Sequence, residues 1–366
     1  MHKKILFLIG HFGIGGKERQ LVEMILGLPT NRFESFLFMK SSVDYFENAI
    51  DGRILEIKNL NVDKFKISHI IHLWRFINRI DPHIVFSLSK TTSHFAFFIK
   101  ILSHKKYRLI NASIRNSPII FTFYQKIERV LYNMYKEIIA NSIAGMRAYQ
   151  QLGKKRRHIL YNGFDMNKVP IESKKTLRKK LGLKDIFTVI MVGSMGVRKD
   201  QTTFIRAANE VLKTGVKVQF ILLGDGPKRN QYVDYVEELD IKNEVKILGE
   251  VVDNVTSYFK ASDISVLTSS KPHGEGIPNV IIESMACGTP VIASDNGGTK
   301  EILQKNYNGL IINCGDELSL LRNIMFLYNN PFVHEKYSKN AINTIINKFT
   351  RQIMINNLIS ILNIRN

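Results

Sequence analysis

Short apolar runs alternate along the chain with segments whose apolar residues recur at helical spacing. Residues 5–9 are an unbroken apolar run that ends in glycines. Residues 17–28 follow with Leu21, Met24, Ile25 and Leu28 on one face, closed by Pro29. Residues 36–39, Ile84–Ser87, 107–112 and 137–140 read as further strands. The pattern then restarts. Strands are expected at 188–192, 219–223, 245–248, Ile264–Leu267 and 291–293, with helices at 202–212, 229–239 and Asn279–Ala286. The last helix is stopped by Cys287-Gly288-Thr289-Pro290. Alternation at this spacing predicts an α/β fold with parallel, doubly wound sheets, one in each half. The Lys-rich stretch 163–184, with Pro170 and Gly182, reads as the linker between them.

Composition refines this picture. The 366 residues, 45% of them apolar and 23% charged, suffice for two cores and argue against wholesale disorder. Cys287 and Cys314 have no metal-ligand spacing, and a reduced compartment is expected. Lys3 and Lys4 precede an apolar run too short for a signal peptide, so a buried first strand is expected there. The formal charge of +20 is uneven: residues 1–162 hold 26 Lys+Arg against 11 Asp+Glu, the remainder 26 against 21. Such asymmetry points to an anionic partner for the first half, or else to a generally basic proteome. No helix-turn-helix, zinc or RNA-binding signature accompanies the charge, so no nucleic-acid partner is expected.

The densest chemistry lies in Gly274-Glu275-Gly276-Ile277-Pro278-Asn279-Val280-Ile281-Ile282-Glu283, at a loop-to-helix junction. Amides of Ile277, Asn279 and Val280 at a helix amino end make an anion site suited to a diphosphate. The glycines allow close approach of a ligand, and Glu283 could accept bonds from a ribose diol. By spacing alone, two exposed glutamates around an ordinary helix start fit equally well.

The longer run from Glu275 through Ser284-Met285-Ala286-Cys287-Gly288-Thr289-Pro290-Val291-Ile292-Ala293-Ser294 closely resembles the signature of the large family 4 of retaining glycosyltransferases (glycosyl transferases group 1). The likeness extends to Asp295-Asn296-Gly297-Gly298-Thr299-Lys300-Glu301, to Leu223-Gly224-Asp225-Gly226-Pro227 and to Asn162-Gly163-Phe164-Asp165. It reaches Gly15-Gly16-Lys17-Glu18 more weakly. The resemblance implies a GT-B fold, two tandem Rossmann-like domains with parallel sheets facing an interdomain cleft. An acceptor-binding domain is expected over 1–167, joined by the C-terminal helix of about 350–366, and a nucleotide-sugar-binding domain over 168–349. By position, Glu275 matches the glutamate beside the transferred sugar, and Gly276, Ile277 and Pro278 the backbone touching that sugar. Asn279 and Val280 would offer amides to the diphosphate, Glu283 would bind the ribose, and Lys199 would stabilise the leaving phosphate. The family's arginine after the glycine is Ser194 here, with Arg198 the candidate replacement. Its first-domain histidine is also absent. Arg115 or Asn116 would present a polar group instead, Asn116 being the catalytic candidate, with a plain loop contact the open alternative.

Two further readings stand beside this one. Gly10, Gly13 and Gly16, with Tyr132 and Lys136, mimic an NAD-dependent sugar-nucleotide epimerase or short-chain dehydrogenase. Against it, the second strand ends at Met39-Lys40 without an acidic residue for an adenosine ribose, and the second half goes unexplained. Gly15 and Gly16 then read as a loop setting a helix amino end near donor phosphates or acceptor. The second alternative is a non-catalytic glycan-binding relative. No Asp-x-Asp pair occurs, so no metal is expected, and the nucleotide sugar, with UDP the family-level expectation, is substrate rather than cofactor. The apolar, basic stretches 117–135 and 95–106 and the run Lys154-Lys155-Arg156-Arg157 leave two readings open: a face docking on an anionic membrane, or ordinary helix packing with solvated lysines. The expected acceptor is a lipid-linked or oligosaccharide hydroxyl, and the expected location is cytoplasmic or peripheral on the inner membrane face.

Overall fold

The computed structural model describes residues 2–42, 48–64, 66–103, 105–251 and 254–364. Met1, Arg365 and Asn366, at the ends of the expected first domain, and His104, within the basic stretch 95–106, lie outside the described residues. The chain divides into two compact units: residues 1–117, 121–163 and 351–366 form the first, and residues 118–120 and 164–350 the second.

The first unit holds seven strands: β1 (Lys3–Phe12), β2 (Phe33–Ser42), β3 (Glu56–Asn59), β4 (Ile84–Ser87), β5 (Arg108–Ile114), β6 (Ile138–Ala140) and β7 (Arg157–Ile159). They pair in parallel in the order β3-β2-β1-β4-β5-β6-β7. The unbroken apolar run of β1 follows from burial on both faces. Ile5, Phe7 and Ile9 enter one core with the Gly16–Gly27 helix, while Leu6 and Leu8 enter another with the His69–Ile80 and Lys90–Leu102 helices.

The C-terminal helix, Arg351–Asn363, belongs to this unit through Met354, Ile355, Leu358 and Leu362. Its last carbonyls, which a helix cannot satisfy internally, are met by the buried Arg108. That guanidinium donates to the carbonyls of Ile361 (2.8 Å), Leu362 (3.1 Å) and Ile364 (3.1 Å) and, through Nε, to Glu137 Oε2 (2.7 Å). Burial pushes the Glu137 carboxyl up, but His158 and Arg108 outweigh it and hold it below the usual carboxylate range.

The second unit holds β8 (Phe187–Val192), β9 (Val218–Leu223), β10 (Val245–Ile247), β11 (Ile264–Leu267), β12 (Val291–Ser294) and β13 (Gly309–Ile312), parallel in the order β10-β9-β8-β11-β12-β13. Val189 and Met191 enter one core, Ile190 and Val192 the other. Each sheet reverses its strand order once, between β1 and β4 and between β8 and β11. In open parallel sheets, ligands bind beyond the carboxyl ends of the strands at such a reversal.

Three features depart from the sequence pattern. Strands β3, β7 and β13 carry no clear signal. The stretch read as a linker is largely part of the second unit and holds the Lys174–Lys180 helix, whose Leu177 is in a core and whose Arg178 pairs with Asp263 (2.5 Å). The helix expected to carry both Tyr132 and Lys136 ends at Leu131. Tyr132 is instead in a short 3-10 segment, buried against Ser113 (3.1 Å), and burial raises its hydroxyl well above the ordinary range. Tyr132 and Lys136 thus do not stand on one helix, the arrangement that their dehydrogenase-like spacing suggests.

Candidate active site

The reversal in the second unit gathers the expected donor residues. Behind β8 the chain runs through Gly193, Ser194 and Met195 to Lys199; behind β9 it runs through Gly224, Asp225 and Gly226. These loops lie backbone against backbone. Met195 N donates to Asp225 O (2.8 Å) and Lys228 N to Met195 O (3.0 Å). A Cβ on Gly224 would collide with the Gly193 carbonyl, and one on Gly226 would lie 2.6 Å from the Met195 carbonyl. Only glycine permits that approach, so the Gly-Asp-Gly motif fixes the path of the loop that delivers Lys199.

Lys199 meets Glu275 from the loop behind β11, Nζ to Oε1, at 2.6 Å. The two loops are stitched together around this pair. Lys199 and Ser269 form an antiparallel bridge, Asp200 N donates to Thr268 O (3.1 Å), and Ser270 N donates to Arg198 O (3.0 Å). Ser269 Oγ donates a second bond to Glu275 Oε1 (3.2 Å). The Glu275 backbone is held as firmly: its N–H donates to Asn296 Oδ1 (3.0 Å), and its carbonyl accepts from Gly298 N (3.2 Å). Ser269 and Asn296 are thus positioning residues that the residue pattern did not single out. Each stands two residues past the end of its strand, β11 or β12, and Asn296 also falls in the family-like run 295–301, where the resemblance gives it no role.

Four residues beyond Glu275 the Asn279–Ala286 helix begins. Its cap position is Pro278, which makes no side-chain capping bond. Gly276, Ile277 and Pro278 are buried. Glu283, in the second turn, is buried too. Desolvation, and after it the Glu283 charge, push the Cys287 thiol up to about 12, which makes that cysteine unreactive at neutral pH. Arg198 is exposed, and its guanidinium makes no hydrogen bond or ion pair among the described residues. Ser194 is exposed, its carbonyl accepting from Gln201 Nε2 (3.0 Å).

Gly15, Gly16 and Asn116 belong to the first unit. Gly15 caps the Gly16–Gly27 helix, where Lys17 pairs with Glu18 (3.2 Å). Ser89, behind β4, accepts from Gly10 N (2.8 Å) and Lys17 Nζ (3.4 Å). Asn116 accepts from the buried Tyr149 hydroxyl (3.1 Å), and Arg115 donates to Asn162 (2.9 Å). Burial pushes the Arg115 guanidinium down to about 10, with the Glu18 carboxylate working the other way. Among the described residues, no group of three His, Cys, Asp or Glu side chains is placed to hold a metal ion.

Residues 173–344 match the family described as glycosyl transferases group 1. The chain is similar to the lipopolysaccharide core biosynthesis glycosyltransferase LpsD of Rhizobium meliloti, 24% identical over 347 residues that cover 93% of each. It is equally similar, 24% over 353 residues and 92% of each, to the GalNAc-alpha-(1->4)-GalNAc-alpha-(1->3)-diNAcBac-PP-undecaprenol alpha-1,4-N-acetyl-D-galactosaminyltransferase of Campylobacter jejuni. Among solved structures, Anabaena HepE in complex with UDP and glucose shares the fold over 99% of both chains, with a TM-score of 0.84 at 22% identity. With two parallel units of this strand order and residues 173–344 matching that family, the chain has a GT-B fold whose second unit is related to the glycosyl transferases group 1 family.

Proposed function

We propose that the protein transfers a sugar from a nucleotide-diphosphate donor, UDP-linked, to a hydroxyl of a lipid-linked or cell-surface glycan, with retention at the anomeric carbon. The observation that carries this reading is the 2.6 Å Lys199–Glu275 pair at the strand reversal, four residues ahead of a helix amino end. Lys199 uses one ammonium hydrogen on Glu275, leaving two to meet a departing diphosphate, and the helix amino end adds positive potential. Charge that develops on the leaving phosphate would be stabilised by groups already in place. With this lysine and helix in the cationic role, and no Asp-x-Asp pair in the chain, the transfer proceeds without a metal.

Glu275 is tied to Lys199 and Ser269, an arrangement that orients a carboxylate beside a sugar rather than freeing it as a nucleophile. Retention then follows from front-face displacement. The acceptor oxygen bonds to the anomeric carbon on the face from which the phosphate oxygen departs, and that oxygen takes the acceptor proton. Glu283 holds the ribose, and the first unit carries the acceptor. The names of the relatives support a role in bacterial glycan biosynthesis, and the proposed location is peripheral, at the inner face of the cell membrane.

A donor-hydrolysis screen across UDP-, GDP- and other nucleotide sugars tests this reading, with Glu275→Ala, Glu283→Ala and Lys199→Ala beside the wild type. At least one donor should be cleaved, UDP-linked first, and all three substitutions should slow it. Failure to bind or cleave any donor, or three variants matching the wild type, would sink the proposal.

A further inference from the structure

One helix of the first unit turns its charge inward and its apolar side chains outward. In the Phe123–Leu131 helix the buried residue is Glu128, 1% exposed, while Phe123 (80%) and Val130 (66%) stand in solvent with Ile127 between them. These three recur at i, i+4 and i+7, one helical face, and Met134 extends the exposed row into the short 3-10 segment Tyr132–Met134. A helix packed on a globular core presents the opposite pattern.

The inversion is fixed by specific contacts. Glu128 pairs with Lys90, whose ammonium also lies over the rings of Tyr124 (5.9 Å) and Tyr149 (5.8 Å). At the amino end Thr122 and Gln125 form a reciprocal capping box. Rotating the helix to hide Phe123 and Val130 would break the buried pair. Among the described residues no helix is long and apolar enough to cross a membrane.

The solvent-exposed charges on this helix and just past it are basic. Lys126 and Lys136 are exposed, and Arg129 lies over the Phe121 ring (5.4 Å). Beyond the helix end, Lys154 donates to Asn133 (2.6 Å) and Arg157 to the Lys136 carbonyl (3.1 Å). These bonds tie the run Lys154-Lys155-Arg156-Arg157 to the chain on either side of Met134 and Tyr135, at the end of the apolar row. The acids nearest in sequence, Glu128 and Glu137, are buried and paired with Lys90 and Arg108.

We infer that the Phe123–Leu131 helix is an interfacial anchor lying in the plane of an anionic lipid leaflet. Phe123, Ile127, Val130 and Met134 enter the acyl boundary, and Lys126, Lys136, Lys154 and Lys155 meet headgroup phosphates. A second copy of the chain is the poorer occupant, because joining two such faces sets like charges against each other. The inference deepens the peripheral location proposed above and is independent of the transfer chemistry.

Sedimentation of the full chain with phosphatidylglycerol-containing vesicles, and with phosphatidylcholine vesicles, at low and high salt tests it. Wild type should bind the anionic vesicles most strongly at low salt. The triple variant Phe123→Ser, Ile127→Ser, Val130→Ser should lose about tenfold or more in binding, because three acyl-facing side chains are removed. Lys154→Gln with Lys155→Gln should flatten the salt dependence. An Ile127→Trp reporter in a Trp74→Phe background, Trp74 being the only native tryptophan, should shift to shorter wavelength on the anionic vesicles, and it decides the matter if the serine variant melts early. Donor hydrolysis in solution should be unchanged in the serine variant, which separates this anchor from the donor site. Undiminished vesicle binding by that variant, an unshifted reporter, or a wild-type dimer that the serine variant dissolves would overturn the inference.

Discussion

The two strand reversals of this chain follow the same topological rule but hold different chemistry. Behind β8 and β11, an ammonium and a carboxylate meet at 2.6 Å, both partly exposed, beside a helix whose cap position is a proline. Behind β1 and β4, the polar groups bind one another and the chain itself. Ser89 meets Gly10 and Lys17, and Gln20 grips both backbone groups of Gly163 (2.9 and 3.2 Å). Behind the adjacent β5, Arg115 holds Asn162, and Asn116 is engaged by Tyr149. Topology marks where a site can form; the Lys17 ammonium is shared between Glu18 and Ser89, whereas Lys199 bonds, among the described residues, only Glu275 and keeps more donors for an anionic ligand. The second unit is so arranged, and the first is braced.

Substitutions can break or sharpen that contrast. The largest effect is expected at Lys199: Lys199→Ala should lower the turnover number roughly 10²–10³-fold, the range seen when one preorganised electrostatic group is lost, with the melting temperature nearly unchanged. Steady-state kinetics on the preferred donor would measure it, and a drop below about threefold would argue that the lysine does not face the leaving group. Arg115→Ala should instead act on stability, removing a charged hydrogen bond to a buried amide at a cost of about 1.5–3 kcal/mol in urea unfolding. Asn116→Ala should have the smallest effect on turnover, within about tenfold, because its amide oxygen already serves Tyr149 and a single neutral hydrogen bond is worth about 1 kcal/mol. If Asn116→Ala matched Lys199→Ala in turnover, the first-unit reversal would be catalytic and the contrast would fail.

The parts of the fold that could be read from the residues were those buried on both faces. Ile84–Ser87 and Ile264–Leu267 are central strands, and their apolar runs leave little choice. The Asn279–Ala286 helix is bounded by Pro278 ahead of it and the Cys287-Gly288-Thr289-Pro290 stop. Strands β3, β7 and β13 lie at sheet edges. Edge strands carry a weaker apolar signal, and β7 begins inside a basic run, so charge hid the strand. The Lys174–Lys180 helix was masked in the same way, since only Leu177 among its lysines reports the core. Within the site, the glutamate and the lysine were each visible through their motifs. Their meeting across 76 positions of sequence was not, nor were Ser269 and Asn296, which act only through where the strands end.

The account rests on the second-unit reversal being the place where the donor diphosphate sits. Calorimetric titration of UDP into wild type, Lys199→Ala and Asn116→Ala tests this most directly. The account predicts binding by the wild type, a loss of about tenfold or more in affinity for Lys199→Ala, in line with a charged hydrogen bond of 1.5–3 kcal/mol, and unchanged affinity for Asn116→Ala. Equal affinity of Lys199→Ala and wild type, or a loss confined to Asn116→Ala, would contradict it.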